Sequence, residues 1–296
     1  MAKDPSEIRC VVPAGDICGE GAVWHPEQGA LYWTDINRYL VHRLDEAGGT
    51  VETWLFSEPV TAVTLTTDPD RLLLVLASQV ALWSPPLHPQ LHTIFRLAGA
   101  PEMRFNDARV DPRGSLWAGT MRNNVGPQGE NLDVAFTDGV LYRINPGGIV
   151  SEWKKDIGIS NTVAWSPDRK TFYFGDSIAN AIYSFAYDER SGAISEGRVH
   201  FGGHHQGLPD GSVIDDQGYL WNARYGGGCI VRIAPDGNLD RMVSMPVQNP
   251  TTCAFGGPEL KTLYITSARS AERLSGSLFA MEPEVAGLPD GRFRLE

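Results

Sequence analysis

The chain has 296 residues, 42% apolar and 21% charged, with a formal net charge of −11. That length can bury a large core, as one big all-β or barrel domain or as two ordinary domains. The excess of 36 Asp and Glu over 25 Lys and Arg argues against nucleic acid or an anionic membrane surface as partner, since both need a concentrated basic patch.

The first residues, Met1 to Glu7, are polar and lack the apolar run of a secretion signal. The longest apolar stretch, Leu72 to Leu76, is far short of the roughly 20 residues that cross a bilayer. A cytoplasmic protein, monomeric or a small homo-oligomer, is expected. Cys10, Cys18, Cys229 and Cys253 are scattered without a CxxC pair, which suits free thiols better than a zinc site or a disulfide scaffold.

One pattern then returns along the chain at roughly 40 to 55 residue intervals: an apolar strand, a Pro/Asp/Gly turn, and a second apolar strand. Its copies are AVWHPEQGALYWTD from Ala22, a weaker AVTLTTDPDRLLLVLAS from Ala62, ARVDPRGSLWAGT from Ala108, VAWSPDRKTFYFGD from Val163, SVIDDQGYLWNAR from Ser212 and CAFGGPELKTLYITSA from Cys253. Each is followed by two more candidate strands, as in VLYRINPGG and IVSEWKKDI from Val140. Apolar alternation bounded by such turns signals hairpins, and no stretch keeps a helical period. The expectation is an all-β, six-bladed β-propeller with four antiparallel strands per blade, forming a single domain over residues 1–296. One of the flanking segments, IRCVVPA or GRFRLE, should complete a blade and close the ring.

In a propeller the innermost strands line a central channel. The residue four places before the last apolar residue ahead of each Pro/Asp turn is Glu20, Asn106, Asn161 and Asp210 in four blades, and Thr61 and Thr251 in the looser two. Asp and Asn before a strand also serve as turn formers, but four at one offset point to a site. Carboxylates and amide oxygens aimed at one volume need a cation between them, and this oxygen-rich set suits Ca²⁺, Mg²⁺, Mn²⁺ or Fe²⁺, with Zn²⁺ also admitted. Arg104 lies two residues before Asn106, where it could reach a substrate oxygen or form an ion pair. Asp35, Met121, Arg122, Asp176, Asn222 and Arg224 fall near the same rim as wall residues. The loop FGGHHQG holds His200, His204 and His205, either as a metal cluster or with one histidine capping the pocket. No GxSxG, HExxH, P-loop or dinucleotide fingerprint is present.

At GEGAVWHPEQGALYWTDI, RFNDARVDPRGSLWAGTM, ISNTVAWSPDRKTFYFGDS and LPDGSVIDDQGYLWNARYGGG the sequence resembles the SMP-30/gluconolactonase/LRE (regucalcin) family over nearly the whole chain. The resemblance implies a propeller with one divalent metal ion in its channel that hydrolyses a sugar lactone to the aldonic acid. It places Glu20, Asn161 and Asp210 on the metal, Asp210 as general base, and Arg104 and Asn106 on the lactone. The metal would polarise the carbonyl and acidify a bound water. Two departures stand out. Thr162 follows Asn161 where the family commonly has glycine, which would stiffen or reshape that strand entry. Where some members carry an acidic substrate contact, this chain has Arg122-Asn123-Asn124, with Glu130 further along, so Asn124, Glu130 and His205 are candidate pocket residues.

Three rival readings remain: a propeller hydrolase of phosphotriesters or non-sugar lactones, a calcium-binding regulatory protein without turnover, and a protein-binding propeller. The last has little support, because the YWTD of Tyr32 to Asp35 is not repeated in the other blades.

Overall fold

Each copy of the repeated hairpin forms the two inner strands of one sheet. The computed structural model describes residues 7–85 and 90–295, so the polar amino-terminal stretch up to Ser6 lies outside the described residues. After β1 (Arg9–Val12), the first blade runs β2 (Gly19–His25), β3 (Ala30–Asp35), β4 (Leu40–Asp45) and β5 (Val51–Leu55). The second is β6 (Val60–Thr66), β7 (Leu72–Leu76), β8 (Gln79–Trp83) and β9 (His92–Arg96), and the third β10 (Met103–Val110), β11 (Leu116–Arg122), β12 (Gly139–Ile144) and β13 (Val150–Ile157). The fourth has β14 (Ser160–Trp165), β15 (Thr171–Asp176) and β16 (Ala181–Asp188), with β17 (Ala193–Ile194) and β18 (Arg198–Gly202) both paired to β16. The fifth is β19 (Leu208–Ile214), β20 (Leu220–Tyr225), β21 (Cys229–Ile233) and β22 (Leu239–Ser244). The sixth combines β23 (Pro250–Gly256), β24 (Thr262–Ser267) and β25 (Leu278–Met281) with β1. No helix occurs among the described residues, and none is long and apolar enough to cross a membrane.

The inner strands β2, β6, β10, β14, β19 and β23 touch one another in a closed ring. The core is divided accordingly, with one apolar cluster between each pair of neighbouring blades. Strand alternation feeds both sides. In β7, Leu72, Leu74 and Leu76 pack toward the first blade, while Leu73 and Val75 pack toward the third. A strand buried on both faces reads as a continuous apolar run, which accounts for Leu72–Leu76. Burying each such side chain is worth roughly 1.5–3 kcal/mol relative to exposure.

The amino-terminal segment closes the ring, since β1 pairs antiparallel with β25. The carboxy-terminal segment instead adds β26 (Arg292–Phe293) parallel to β6. That strand, and β17 beyond the Glu189–Gly192 turn, take two blades past the four strands expected. The four cysteines are free, with Cys229 and Cys253 buried.

Candidate active site at the channel mouth

Every inner strand slips register once against its second strand, between Glu20 and Val23, Val60 and Ala62, Phe105 and Ala108, Asn161 and Ala164, Pro209 and Ser212, and Pro250 and Cys253. The four-place offset therefore corresponds to a bulge repeated in all six blades. A bulge re-aims side chains that plain alternation would send to opposite faces. Gly21 and Thr162, which follow Glu20 and Asn161, take left-handed conformations at φ 58° and 54°. Thr162 keeps the bulge geometry found at Gly21 rather than reshaping it, and its hydroxyl adds a bond, donating to the Asp210 carbonyl at 2.6 Å.

The four residues singled out by the repeat converge. Asn106 donates from Nδ2 to Asn161 Oδ1 at 3.1 Å and to the Ser160 carbonyl at 2.8 Å. Glu20 and Asp210, from the first and fifth blades, bring their carboxyl groups together, each acting on the other. Burial first, then the nearby Asp107, pushes the Glu20 carboxyl up to about 8. Burial, then Glu20, holds Asp210 well above the ordinary carboxylate range. Asp210 is 7% exposed and Asn161 3%. Asn161 is fixed by donating to Ser177 Oγ at 2.9 Å, and Ser177 in turn donates to the Pro209 carbonyl at 2.6 Å.

Arg104 is buried and donates from Nη1 to Asn106 Oδ1 at 2.6 Å. Its Nε and Nη2 both reach Asn124 Oδ1, at 3.0 and 2.6 Å, so Asn124 belongs with Arg104. Burial lowers the guanidinium to about 10, with no carboxylate among its hydrogen-bond partners. Glu130 is exposed, its carboxylate turned back to the Gln128 amide at 2.8 Å. It lies on the segment between β11 and β12, which reaches the first blade where Asn37 Nδ2 donates to the Gly129 carbonyl at 2.8 Å.

The histidines do not gather into a metal set. His200 packs on Tyr173 at 4.9 Å between ring centres, His204 packs on Phe201 at 5.7 Å, and His205 is exposed. Among the described residues no three His, Cys, Asp or Glu side chains cluster as a metal site. The rim residues act as wall. Asp35 accepts the amides of Ile17, Cys18, Asn37 and Arg38, and Asp176 those of Gly158, Ile159, Ile178 and Ala179. Arg224 clasps the histidine loop through Asn180 Oδ1 at 2.9 Å and the carbonyls of His204 and Gln206, both at 3.2 Å. Arg122 pairs with Asp138 at 2.6 Å.

Sequence reasoning missed Asp107. It accepts the Val163 amide at 3.2 Å, and burial raises its carboxyl. Alternation turns Asp107 away from Asn106, and only the bulge brings both inward.

Two facing carboxyls, with two amides beside them, form an oxygen-rich site whose chemistry fits a hard divalent cation. Fold and site together define a six-bladed β-propeller with an oxygen-rich centre at one mouth of its channel. The chain belongs to the SMP-30/Gluconolactonase/LRE-like family, matched over residues 18–269. It is 34% identical to 6-deoxy-6-sulfogluconolactonase of Pseudomonas putida, over 97% of this chain and 98% of that protein. To the pentonolactonase XacC of Haloferax volcanii it is 32% identical, over 93% and 94%. The crystal structure of the calcium-binding protein regucalcin of Agrobacterium tumefaciens superposes with a TM-score of 0.90 at 28% identity, covering 98% of each chain.

Proposed function

We propose that the protein hydrolyses a sugar lactone to its aldonic acid, with a divalent cation held by Glu20, Asn161 and Asp210. The observation that carries this reading is the facing Glu20–Asp210 carboxyl pair beside Asn161, Asn106 and Arg104. The lactonase names of its relatives support the substrate class. When bound, the cation supplies Lewis acidity toward the lactone carbonyl and the attacking water. Asp210 takes the proton of the water that attacks the carbonyl carbon and returns it to the ring oxygen as the ring C–O bond breaks. Arg104, aimed by Asn106 and Asn124, donates to substrate oxygens, and its fixed geometry contributes through positioning.

The test is acid release from a panel of aldonolactones, aryl lactones and organophosphates. It is run on native protein, on chelated protein, and after return of Ca²⁺, Mg²⁺, Mn²⁺, Fe²⁺ or Zn²⁺ singly. Aldonolactones should be the best substrates, activity should vanish on chelation, and Asp210→Asn should lower kcat by about 10²–10⁴-fold while staying folded. Turnover that survives complete chelation, or near-native turnover by Asp210→Asn, rejects the mechanism. Best activity on aryl lactones or organophosphates rejects the substrate class. Tight calcium binding without turnover favours a regulatory protein, a reading to which the regucalcin likeness lends weight.

A further inference from the structure

At the opposite end of the channel lies a second cavity of about 480 Å³, bounded by the ends of β10, β14 and β19 and by the carboxy-terminal segment. Its volume falls within the range of small-molecule sites. Five arginines line it, Arg109, Arg113, Arg169, Arg292 and Arg294, against two aspartates, Asp111 and Asp290, in a chain of net charge −11.

Two of the guanidinium groups in this cavity have no carboxylate partner among the described residues. Asp111 is saturated, accepting from the Arg113 and Ser115 amides at 2.8 and 2.9 Å, from Trp117 Nε1 at 2.9 Å and from the Tyr187 hydroxyl at 3.0 Å. Asp290 faces Arg109 Nε at 3.6 Å, a loose pair. Arg169 and Arg292 already hold Glu189 and Glu27. Arg113 meets only the carbonyls of Glu189 and Arg190, and Arg294 is exposed with no side-chain partner among the described residues. Trp165 also lines the cavity, at 8% exposure. Guanidinium groups without carboxylate partners favour oxyanions in particular.

We propose that this far cavity is a binding site for a small oxyanion-bearing molecule, a carboxylate or a phosphate, held by Arg113 and Arg294 beside the Trp165 ring. It is separate from the catalytic mouth, so its fate is independent of the lactonase reading.

The experiment titrates the full chain with inorganic phosphate, citrate or D-gluconate, and with glucose as a neutral control, by calorimetry and tryptophan fluorescence. At least one anion should bind saturably with Kd below about 1 mM. Which anion binds tells phosphate from carboxylate. Arg113→Gln/Arg294→Gln, which alters surface contacts only, should weaken that binding at least about tenfold while leaving catalytic turnover unchanged. Trp165→Phe should reduce the fluorescence response, because that indole lines the cavity. The proposal is overturned by no saturable anion binding up to about 10 mM. It is equally overturned by equal binding of glucose, or by anion affinity unchanged in the double variant, which would place the ligand elsewhere.

Discussion

Thr162 occupies φ 54°, a conformation that costs an L-residue roughly 1–2 kcal/mol. Its hydroxyl offsets this by donating to the Asp210 carbonyl at 2.6 Å and meeting the Ser212 hydroxyl at 2.9 Å. Glycine would relieve the strain and lose the bonds, whereas valine would keep the strain and still lose them. Thr162→Gly should therefore stay within about 1 kcal/mol of the native protein, and Thr162→Val should lose about 1–3 kcal/mol, read from urea midpoints. A valine variant as stable as the glycine one would contradict this account of the bulge. The same bulge decides what is legible at this scale. Glu20, Asn106, Asn161 and Asp210 can be read from the chain because six copies of one position lie side by side, and four of them depart from threonine. Asp107 escapes because alternation assigns it to the wrong face, and Asp290 because it lies outside every copy of the repeat.

The hairpins are legible at the scale of elements because each carries its own turn chemistry, but how neighbouring turns join is not. His25 illustrates the join. It ends β2 at 1% exposure, and its Nε2 lies 3.0 Å from the Pro69 carbonyl in the next blade's turn. Burial holds its pKa below the ordinary 6.5, against the opposing pull of Glu27, so the folded state favours the neutral ring. With the folded pKa depressed, this contribution to stability is complete above about pH 6.5 and is lost as pH falls through the folded value. Between about pH 7.5 and pH 5.5 the urea midpoint of the native protein should fall more than that of His25→Gln. Equal slopes in the two proteins would remove His25 as a source of acid sensitivity. The β11–β12 segment that carries Glu130 was equally hidden, since its anchor, Asn37, lies two blades away and nothing local announces the contact.

For the whole molecule, six interblade cores make each blade depend on both neighbours, so stability rests on the ring being closed. Composition admits one domain or two, and the repeat argues for one ring, but it leaves open which terminus completes it. Both flanks are short and apolar enough to serve. The distinction lies in long-range pairing: β25 presents an antiparallel edge that β1 fills, with Arg9 opposite Ala280 and Cys10 opposite Phe279, while Phe293 is buried beside β6 at 2% exposure. Ile8 and Cys10 pack on the cluster between the fifth and sixth blades, and Val11 and Val12 on the cluster between the sixth and first. Removing them exposes apolar surface on both clusters and unpairs β25, a loss of about 4 kcal/mol if each contributes about 1 kcal/mol. Deleting residues 1–12 should lower Tm by roughly 6 °C in a chain of this size, read by circular dichroism. It should also weaken the cation binding proposed above, because Glu20 lies at the start of β2, the next strand after β1, and faces Asp210. A truncated protein that melts within about 2 °C of the native one would mean that the ring is closed by something other than β1.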